Sequence, residues 1–265
     1  MLIDFHTHIF PDELAAKSIP KMAEISGLEP FADGTAADLE RRMDEWGVTH
    51  YVVLNIAVKA NQSRKVNDFA LSAKSSRVSV FGSVHPDDDD AEAELERVKK
   101  LGAAGIKLHP DYQNFFADDS RLFGIYEKCA ELELPVCFHA GFDPVSPNLV
   151  HCTPQMLRKV ADLFPRLTII GAHLGGMNRF EDSEKYLAGT RNVYLDVSMV
   201  GRYLTDKDLY LRIIKKHGAD RVLFGSDCPW SSPATELKAL RETGLGREEL
   251  DRICYKNAAE LLRIN

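Results

Sequence analysis

Eight short apolar segments alternate with amphipathic stretches along the whole chain, and this alternation limits the folds that the sequence can adopt. The segments are rich in Val, Ile, Leu and Phe, which is typical of parallel strands buried on both faces. We predict strands at Leu2–His8, Tyr51–Asn55, Val78–Val84, Gly105–His109, Val136–His139, Thr168–His173, Val193–Val197 and Val222–Asp227. Eight strands that alternate with helices form either a closed barrel or a doubly wound open sheet.

The stretches between these segments carry helix signals. We predict helices at Thr35–Trp46, Asp87–Leu101, Ser120–Leu132, Thr153–Phe164, Asp206–His217 and Pro233–Glu242, and two more within Arg247–Ile264. Thr153 and Pro154 illustrate the signal, because a capping residue is followed by proline at the first helical position. The segment Ile9–Asp33 is instead predicted to be a long loop, and long loops on the catalytic face of such folds often carry function.

Chain length and glycine pattern favour the closed barrel. The chain has 265 residues, and a (β/α)₈ barrel typically takes about 250. No G-x-G-x-x-G motif opens the chain, which disfavours the dinucleotide-binding form of the open sheet. Hydrophobic residues make up 45% and charged residues 28% of the chain, as in ordinary globular proteins. We therefore predict a single (β/α)₈ domain over residues 1–265.

The net charge and the cysteines indicate which binding partners and which cellular compartment the sequence favours. The net charge of −7 disfavours nucleic acid, since phosphate binding needs a basic surface. The five cysteines are odd in number and form no C-x-x-C pair, which favours a reducing compartment over a disulfide scaffold. The first residues do not resemble a signal peptide, and no run approaches the roughly 20 apolar residues of a membrane span. We expect a cytoplasmic protein that acts on a small molecule and has no membrane partner; a homo-oligomer is compatible with the sequence.

Ionisable or metal-liganding side chains recur where the predicted strands end. They are His6 and His8 on strand one, Lys107 and His109 on strand four, His139 on strand five, His173 on strand six, Asp196 on strand seven and Asp227 on strand eight. Because strand side chains alternate with period two, His6 and His8 point the same way. If both face the barrel axis, they meet His139, His173 and Asp227 at the end where the active sites of this fold lie. Imidazoles with a carboxylate are a normal ligand set for Zn²⁺ and similar ions.

Each of these residues alone also fits a purely structural interpretation. A His-x-His pair, or a single strand histidine such as His139, is often a satisfied core residue. The glycines after His173 and the cost of burying the Asp227 carboxylate favour a site instead. The coincidence of these side chains at the same end of four different strands favours a metal site over core packing.

Several short motifs together resemble the amidohydrolase superfamily over almost the whole chain. The resemblance is closest to its branch of TIM-barrel metal-dependent hydrolases, which also holds aminocarboxymuconate semialdehyde and resorcylate decarboxylases. The motifs are Asp4-Phe5-His6-Thr7-His8, Gly105-Ile106-Lys107-Leu108-His109-Pro110, Pro135-Val136-Cys137-Phe138-His139, Gly171-Ala172-His173-Leu174-Gly175-Gly176, Leu223-Phe224-Gly225-Ser226-Asp227 and Asn257-Ala258-Ala259-Glu260-Leu261-Leu262.

The resemblance implies a bound divalent ion. It assigns His6, His8, His139 and Asp227 as the metal ligands, and it places His173 beside them. We expect one Zn²⁺, although Mn²⁺, Co²⁺ or Fe²⁺ suit the same donors. A second ion would recruit Lys107 or His109.

The expected activity is that of a metal-dependent hydrolase. Asp227 would act as the general base on a metal-activated water, and His173 would donate a hydrogen bond or shuttle a proton. Lys107, His109 and Trp230 would bind the substrate, although Lys107 equally fits an ion pair with Asp196 and Trp230 equally fits loop packing. A non-oxidative decarboxylase of an aromatic or unsaturated acid would use the same site. A non-catalytic metal-binding barrel is the alternative of a different class.

Overall fold

Eight parallel strands form a nearly closed barrel. The computed structural model describes residues 1–264. The strands are β1 (Ile3–Thr7), β2 (His50–Leu54), β3 (Val78–Gly82), β4 (Gly105–Leu108), β5 (Val136–Phe138), β6 (Ile169–Gly171), β7 (Val193–Asp196) and β8 (Val222–Leu223), and each pairs with the next in chain order. Strand β8 returns to β1, where the Phe5 N–H donates to the Phe224 carbonyl at 2.8 Å. The predicted (β/α)₈ barrel is therefore confirmed.

Helices follow the strands around the outside. They are α1 (Asp12–Ser26), α2 (Ala36–Glu45), α3 (Ser63–Ser72), α4 (Ala91–Lys100), α5 (Pro110–Gln113), α6 (Phe123–Glu131), α7 (Pro154–Leu163), α8 (Phe180–Asp182), α9 (Val200–Tyr203), α10 (Lys207–His217), α11 (Pro233–Arg241), α12 (Arg247–Asp251) and α13 (Asn257–Leu262). Short 3₁₀ or π segments cover Ser120–Leu122, His173–Gly175, Ser183–Leu187, Ala219–Arg221 and Arg252–Lys256. Within residues 1–264, no helix has the length and apolar character that crossing a bilayer requires.

The capping residues predicted from the sequence for α2 and α7 do precede the first residue of each helix. The hydroxyl of Thr35 accepts the Asp38 N–H at the start of α2, and the hydroxyl of Thr153 accepts the Met156 N–H at the start of α7. Both side chains satisfy backbone donors that have no partner inside the helix. The predicted helix from Asp87 begins later, at Ala91, because the aspartates form the preceding turn.

Besides the short helices α5, α8 and α9, which were not predicted, two longer helices differ from the sequence prediction. The segment predicted as a long loop holds the 15-residue helix α1, which tolerates Pro20 in its interior and ends at left-handed Gly27. Proline inside a helix removes a backbone hydrogen bond, so the sequence signal there was weak. Helix α3 was not predicted at all. Its buried Asn67 bonds the backbone of Ser83, so a polar contact replaces part of an apolar face.

The lower part of the barrel is filled by apolar side chains. A buried cluster joins Ile3, Phe5, Val52, Leu54, Phe81, Cys137, Ile170 and Leu223 from six strands with Ala258 of α13. Side chains from so many strands meet only inside the barrel, so this layer closes the amino-terminal end. The polar residues of the site lie above it, at the carboxyl ends of the strands.

Candidate active site

A bulge in β1 turns His6 toward the barrel axis. Strand β1 carries one extra residue relative to β2 between Asp4 and Thr7, and a bulge of this kind re-aims the side chains that follow it. Phe5 packs edge-on against Phe81 in the interior, yet the next residue, His6, also faces inward. The Asp4 carboxylate stabilises the bulge by accepting the N–H groups of His6 at 3.1 Å and Ser226 at 2.9 Å.

The backbone is left-handed at the carboxyl ends of β6, β7 and β8. The φ angles are 57° at His173, 55° at Leu174, 61° at Met199 and 69° at Asp227. Such conformations cost on the order of 1–3 kcal/mol each outside glycine and persist where the surrounding structure holds them. The Asp227 N–H donates to the His6 carbonyl at 2.7 Å, which fixes the loop after β8 against β1.

Asp196 fixes the tautomer of His6. Its Oδ2 lies 2.8 Å from His6 Nδ1, so this nitrogen carries the proton and Nε2 presents its lone pair to the centre. The other oxygen, Oδ1, accepts the backbone N–H groups of His173 and Ser198, both at 3.0 Å, and also the Ser198 hydroxyl. Burial alone would raise the pKa of Asp196, but its interactions with His6 hold that pKa well below its usual range.

His8 presents a lone pair to a carboxylate. Its Nδ1 lies 2.6 Å from the Leu54 carbonyl, which only accepts, so Nδ1 carries the proton. The opposite nitrogen, Nε2, lies 3.0 Å from Asp227 Oδ1, and His6 Nε2 lies 3.5 Å from the same oxygen. Acceptors this close repel one another unless a proton or a metal cation lies between them. The lone pairs of His6, His8 and Asp227 could therefore serve together as ligands of a divalent metal ion.

His173 and His139 extend this centre. His173 Nδ1 lies 2.9 Å from the Ser198 carbonyl and is therefore protonated, which leaves Nε2 as an acceptor. That atom lies 3.1 Å from His139 Nδ1. His6, His173 and Asp227 each offer a donor atom within 4.8 Å of the other two. The five predicted residues His6, His8, His139, His173 and Asp227 are thus brought together, as their positions at the strand ends predict.

Burial keeps the imidazoles of His6, His109 and His139 neutral. It lowers the pKa of His6 to about 4, and the positive charge of Lys107 acts in the same direction. Burial also lowers the pKa of His109 and of His139 well below the usual range. Burial opposes ionisation of Asp227, but the histidines around it hold its pKa well below the ordinary value whenever they carry a proton. Neutral imidazoles around an ionised carboxylate are the protonation states that a metal ion requires.

Lys107 lies beneath the centre rather than at its mouth. Its side chain is 1% exposed, and its Nζ lies 3.3 Å from His6 Nε2 and 3.8 Å from Cys137 Sγ. Among residues 1–264, Lys107 forms no ion pair with Asp196, so that interpretation was wrong. In the ion-free protein Lys107 Nζ instead donates to the lone pair of His6 Nε2. The predicted contact between Lys107 and the substrate stays a prediction.

A second buried group, missed by the sequence analysis, adjoins the centre. Asp143 follows β5 by a few residues, and its Oδ2 lies 3.6 Å from His109 Nε2 and 3.9 Å from His139 Nε2. Tyr112 stacks on His109 with ring centroids 3.7 Å apart, and its hydroxyl contacts Asp143 at 3.3 Å. Only the i, i+4 spacing from His139 could have drawn attention to Asp143.

Apolar side chains form a wall over the carboxyl ends of the strands. Leu28, Met177 and Met199 form a buried cluster, against which partly buried Phe142, Tyr203 and Trp230 pack. They come from the segments that follow β1, β5, β6, β7 and β8. Trp230, which the sequence analysis proposed as a substrate-binding residue, belongs to this wall. Its backbone N–H donates to the Asp227 carbonyl at 2.8 Å. We call these six residues the apolar wall.

Comparison with curated proteins finds decarboxylases. Gamma-resorcylate decarboxylase of Polaromonas sp. (strain JS666 / ATCC BAA-500) is 25% identical over 286 aligned positions, which cover 85% of this chain and 86% of that protein. Decarboxylase orsB of Emericella nidulans is 25% identical over 262 positions, which cover 79% of this chain and 77% of that protein.

Comparison with solved structures finds the same barrel. A dihydroxybenzoic acid decarboxylase from Polaromonas sp. JS666, solved with bound manganese and the inhibitor 2-nitroresorcinol, superposes with a TM-score of 0.73 at 20% identity. The superposition covers 99% of this chain and 96% of that one, and it shows a shared fold. The sequence profile described as amidohydrolase matches residues 3–264. The chain belongs to the amidohydrolase family.

Proposed function

We propose that the protein is a metal-dependent, non-oxidative decarboxylase of a small aromatic or unsaturated acid. One observation carries the proposal: the lone pairs of His6, His8 and Asp227 converge at the carboxyl ends of the strands, the end of the barrel over which the apolar wall also lies. A centre of this kind suits a substrate with an anionic group at one end and a flat apolar body. Both curated relatives are decarboxylases, and they match over most of their length. These matches favour decarboxylation over the hydrolysis that the superfamily resemblance first suggested.

The proposed cofactor is one divalent ion held by His6 Nε2, His8 Nε2, His139 Nδ1 and Asp227. Three imidazoles and one carboxylate suit Zn²⁺, whereas the dihydroxybenzoic acid decarboxylase contains manganese. When bound, such an ion supplies positive charge that orients substrate oxygens and neutralises their negative charge.

Asp227 is the proposed carrier of the catalytic proton. Its carboxylate is ionised in the resting site, so it can accept a proton from a hydroxyl group of the bound acid. It then delivers this proton to the carbon that bears the carboxylate. The bond between that carbon and the carboxylate breaks, its electron pair stays on the substrate carbon, and CO₂ leaves. Solvent returns a proton to the hydroxyl oxygen, which balances the reaction.

His173 is proposed to hold the substrate group in place. Its proton is fixed on Nδ1 by the Ser198 carbonyl, so Nε2 accepts a hydrogen bond from whatever hydroxyl lies in the centre. His109 is proposed to line the pocket next to His139, because the two rings stack with centroids 4.2 Å apart. The apolar wall, including Trp230, is proposed to cover the ring and exclude water.

A direct test measures CO₂ release. The purified protein is loaded with Zn²⁺ or Mn²⁺ and incubated with a panel of hydroxybenzoic and dihydroxybenzoic acids, with evolved CO₂ and ring product measured together. We expect ion-dependent, equimolar formation of both from at least one acid, and none from the Asp227→Ala variant. The same preparation is offered lactones, esters and amides. Cleavage of these compounds with no CO₂ from any acid would replace the proposal with hydrolysis.

A further inference from the structure

We infer that Asp143 is a positioning residue for the metal centre, a role that rests on the proposed ion site. In the ion-loaded protein we expect its Oδ2, which lies 3.9 Å from His139 Nε2, to accept the N–H of that nitrogen and so leave the lone pair of His139 Nδ1 free to face the ion. Asp143 and His139 are 6% and 5% exposed, so water does not compete freely for this contact. Carboxylates that fix the tautomer of a ligating histidine in this way strengthen metal binding.

The two tautomers of His139 have different consequences. If Nδ1 carries the proton, it donates to His173 Nε2 at 3.1 Å. The lone pair of Nε2 then faces the Asp143 carboxylate, and two acceptors are buried together. If Nε2 carries the proton, it faces that carboxylate favourably, the lone pair of Nδ1 is free for the ion, and His173 Nε2 stays free for the substrate hydroxyl. A bound ion therefore selects the second tautomer, and Asp143 stabilises it.

The unpartnered nitrogen of His139 supports this assignment. Nε2 is buried and has no hydrogen-bond partner among residues 1–264. Asp143 Oδ2 lies 3.9 Å away, about 1 Å beyond an ordinary N–H···O bond. Metal ligation at Nδ1 favours the tautomer with a proton on Nε2, and we expect the contact to shorten to a hydrogen bond.

Asp143 is itself held in place. Its Oδ1 accepts the N–H groups of Val145 at 2.9 Å and Ser146 at 2.7 Å. Oδ2 is therefore the oxygen that faces the imidazoles of His109 and His139. The Tyr112 hydroxyl adds a weaker contact at 3.3 Å.

His109 provides a second imidazole beside the same oxygen. Its Nδ1 accepts the Tyr112 N–H at 3.4 Å, so Nε2 carries the proton and faces Asp143 Oδ2 at 3.6 Å. Asp143 Oδ2 thus faces the Nε2 atoms of two stacked histidines. This network gives His109 a role in orienting His139 in addition to its predicted contact with substrate.

A second metal ion at His109, His139 and Asp143 fits the geometry less well. One donor atom from each residue lies within 4.8 Å of the others. However, the two imidazole planes are stacked with an interplanar angle of 9°. The lone pair of a ring nitrogen lies in the plane of its ring, so two nearly parallel stacked rings cannot both direct lone pairs at one ion.

The experiment compares Zn²⁺ affinity and stoichiometry in wild type, Asp143→Ala and Asp143→Asn by competition with a chromophoric chelator. We expect one equivalent of Zn²⁺ in each protein and an affinity about 10- to 100-fold weaker in Asp143→Ala. The Asp143→Asn variant should bind Zn²⁺ at least as weakly, although asparagine has the same shape as aspartate. Its amide oxygen stays on the Val145 and Ser146 N–H groups, so its NH₂ group donates to His139 Nε2 and forces the proton onto Nδ1.

The nitrogen-15 shifts of His139 report this tautomer independently of activity. In Zn²⁺-loaded wild type we expect the proton on Nε2, and in Asp143→Asn we expect it on Nδ1. A purely structural role for Asp143 would leave Asp143→Asn like wild type, and that result would overturn the inference. Two equivalents in wild type and one in Asp143→Ala would also overturn it, in favour of a second ion. Absence of Zn²⁺ binding by wild type would overturn the proposed function and this inference together, whereas equal affinity in all three proteins would overturn only the inference.

Discussion

His8 Nε2 lies 3.0 Å from Asp227 Oδ1, and both atoms are acceptors, because the proton of His8 is on the nitrogen that bonds the Leu54 carbonyl. A contact between two acceptors destabilises the folded state when nothing positive lies between them. The same contact is a strong site for a cation. The repulsion between these two atoms thus lowers the stability of the ion-free protein, and its relief by a cation favours ion binding.

Asp227→Asn is predicted to stabilise the ion-free protein while abolishing activity. The amide NH₂ donates to His8 Nε2, and asparagine tolerates the left-handed backbone at this position. We expect a gain of about 1 kcal/mol, or roughly 2–4 °C in Tm, measured by thermal unfolding at pH 8 with a chelator present. The exposed Asp89→Asn variant serves as a control and should leave Tm unchanged. A lower Tm in ion-free Asp227→Asn would contradict the acceptor–acceptor interpretation.

Asp196→Asn is predicted to weaken ion binding about 100-fold. Three donors hold Asp196 Oδ1, so the amide oxygen should stay there and the NH₂ group should face His6 Nδ1. That nitrogen must then act as the acceptor, and the proton moves to Nε2, where the ion should bind. Chelator competition measures the effect. Wild-type affinity in this variant would show that His6 does not ligate through Nε2.

Trp230→Ala is predicted to raise KM for the proposed acid about tenfold. Loss of an aromatic contact costs on the order of 1 kcal/mol, and a tenfold change corresponds to 1.4 kcal/mol. Because Trp230 lies in the apolar wall and not among the ion ligands, we expect kcat and Zn²⁺ content to change little. Trp46→Ala, at the end of α2, is the control for loss of a tryptophan elsewhere. A change in kcat with constant KM would assign Trp230 to the chemistry instead.

Glu236→Gln is predicted to stabilise the protein at alkaline pH. Burial raises the pKa of Glu236 to about 8, while its hydrogen bonds from Ser231 and Gly201 act in the opposite direction. The folded protein therefore binds this proton more tightly than the unfolded chain, so stability falls as the pH rises from the ordinary carboxyl range through about 8. Each unit of pKa difference corresponds to about 1.4 kcal/mol.

The measurement for Glu236 is thermal unfolding of both proteins at pH 5 and pH 9. Glutamine stays neutral, and its amide can still accept from Gly201 and donate to Ser231. The two Tm values should nearly agree at pH 5, and the variant should be higher at pH 9. Parallel pH profiles would show that this carboxyl is ionised in the folded protein.

Much of the barrel could be predicted because buried parallel strands have a simple pattern. The apolar segments predicted all eight strands, although the strand ends were placed too far along the chain. Strand β8 is an example: it stops at Leu223 because the Phe224 N–H turns to the Ile253 carbonyl. Hydrogen bonds between distant segments decide such boundaries, and they leave no local pattern.

The site was predictable only where it coincides with strand ends. His6, His8, His139, His173 and Asp227 could be grouped because parallel strands bring their carboxyl ends together. Asp143 lies in a loop rich in glycine and proline, with no periodicity to indicate its direction. The inward turn of His6 depends on a bulge that Asp4 stabilises, and strict alternation would have placed Phe5 and His6 on opposite faces.

Helix α1 lies outside the β-barrel, in a segment whose two flanks bond each other and whose end bonds the loop after β8. The Phe10 N–H donates to the Gly34 carbonyl at 2.8 Å, and the Phe31 N–H donates to the Pro229 carbonyl at 2.7 Å. Between these points the chain supplies Leu28 to the apolar wall but none of the proposed ion ligands. This one contiguous segment can therefore vary, and change what fits against the apolar wall, while the proposed ion ligands stay in place.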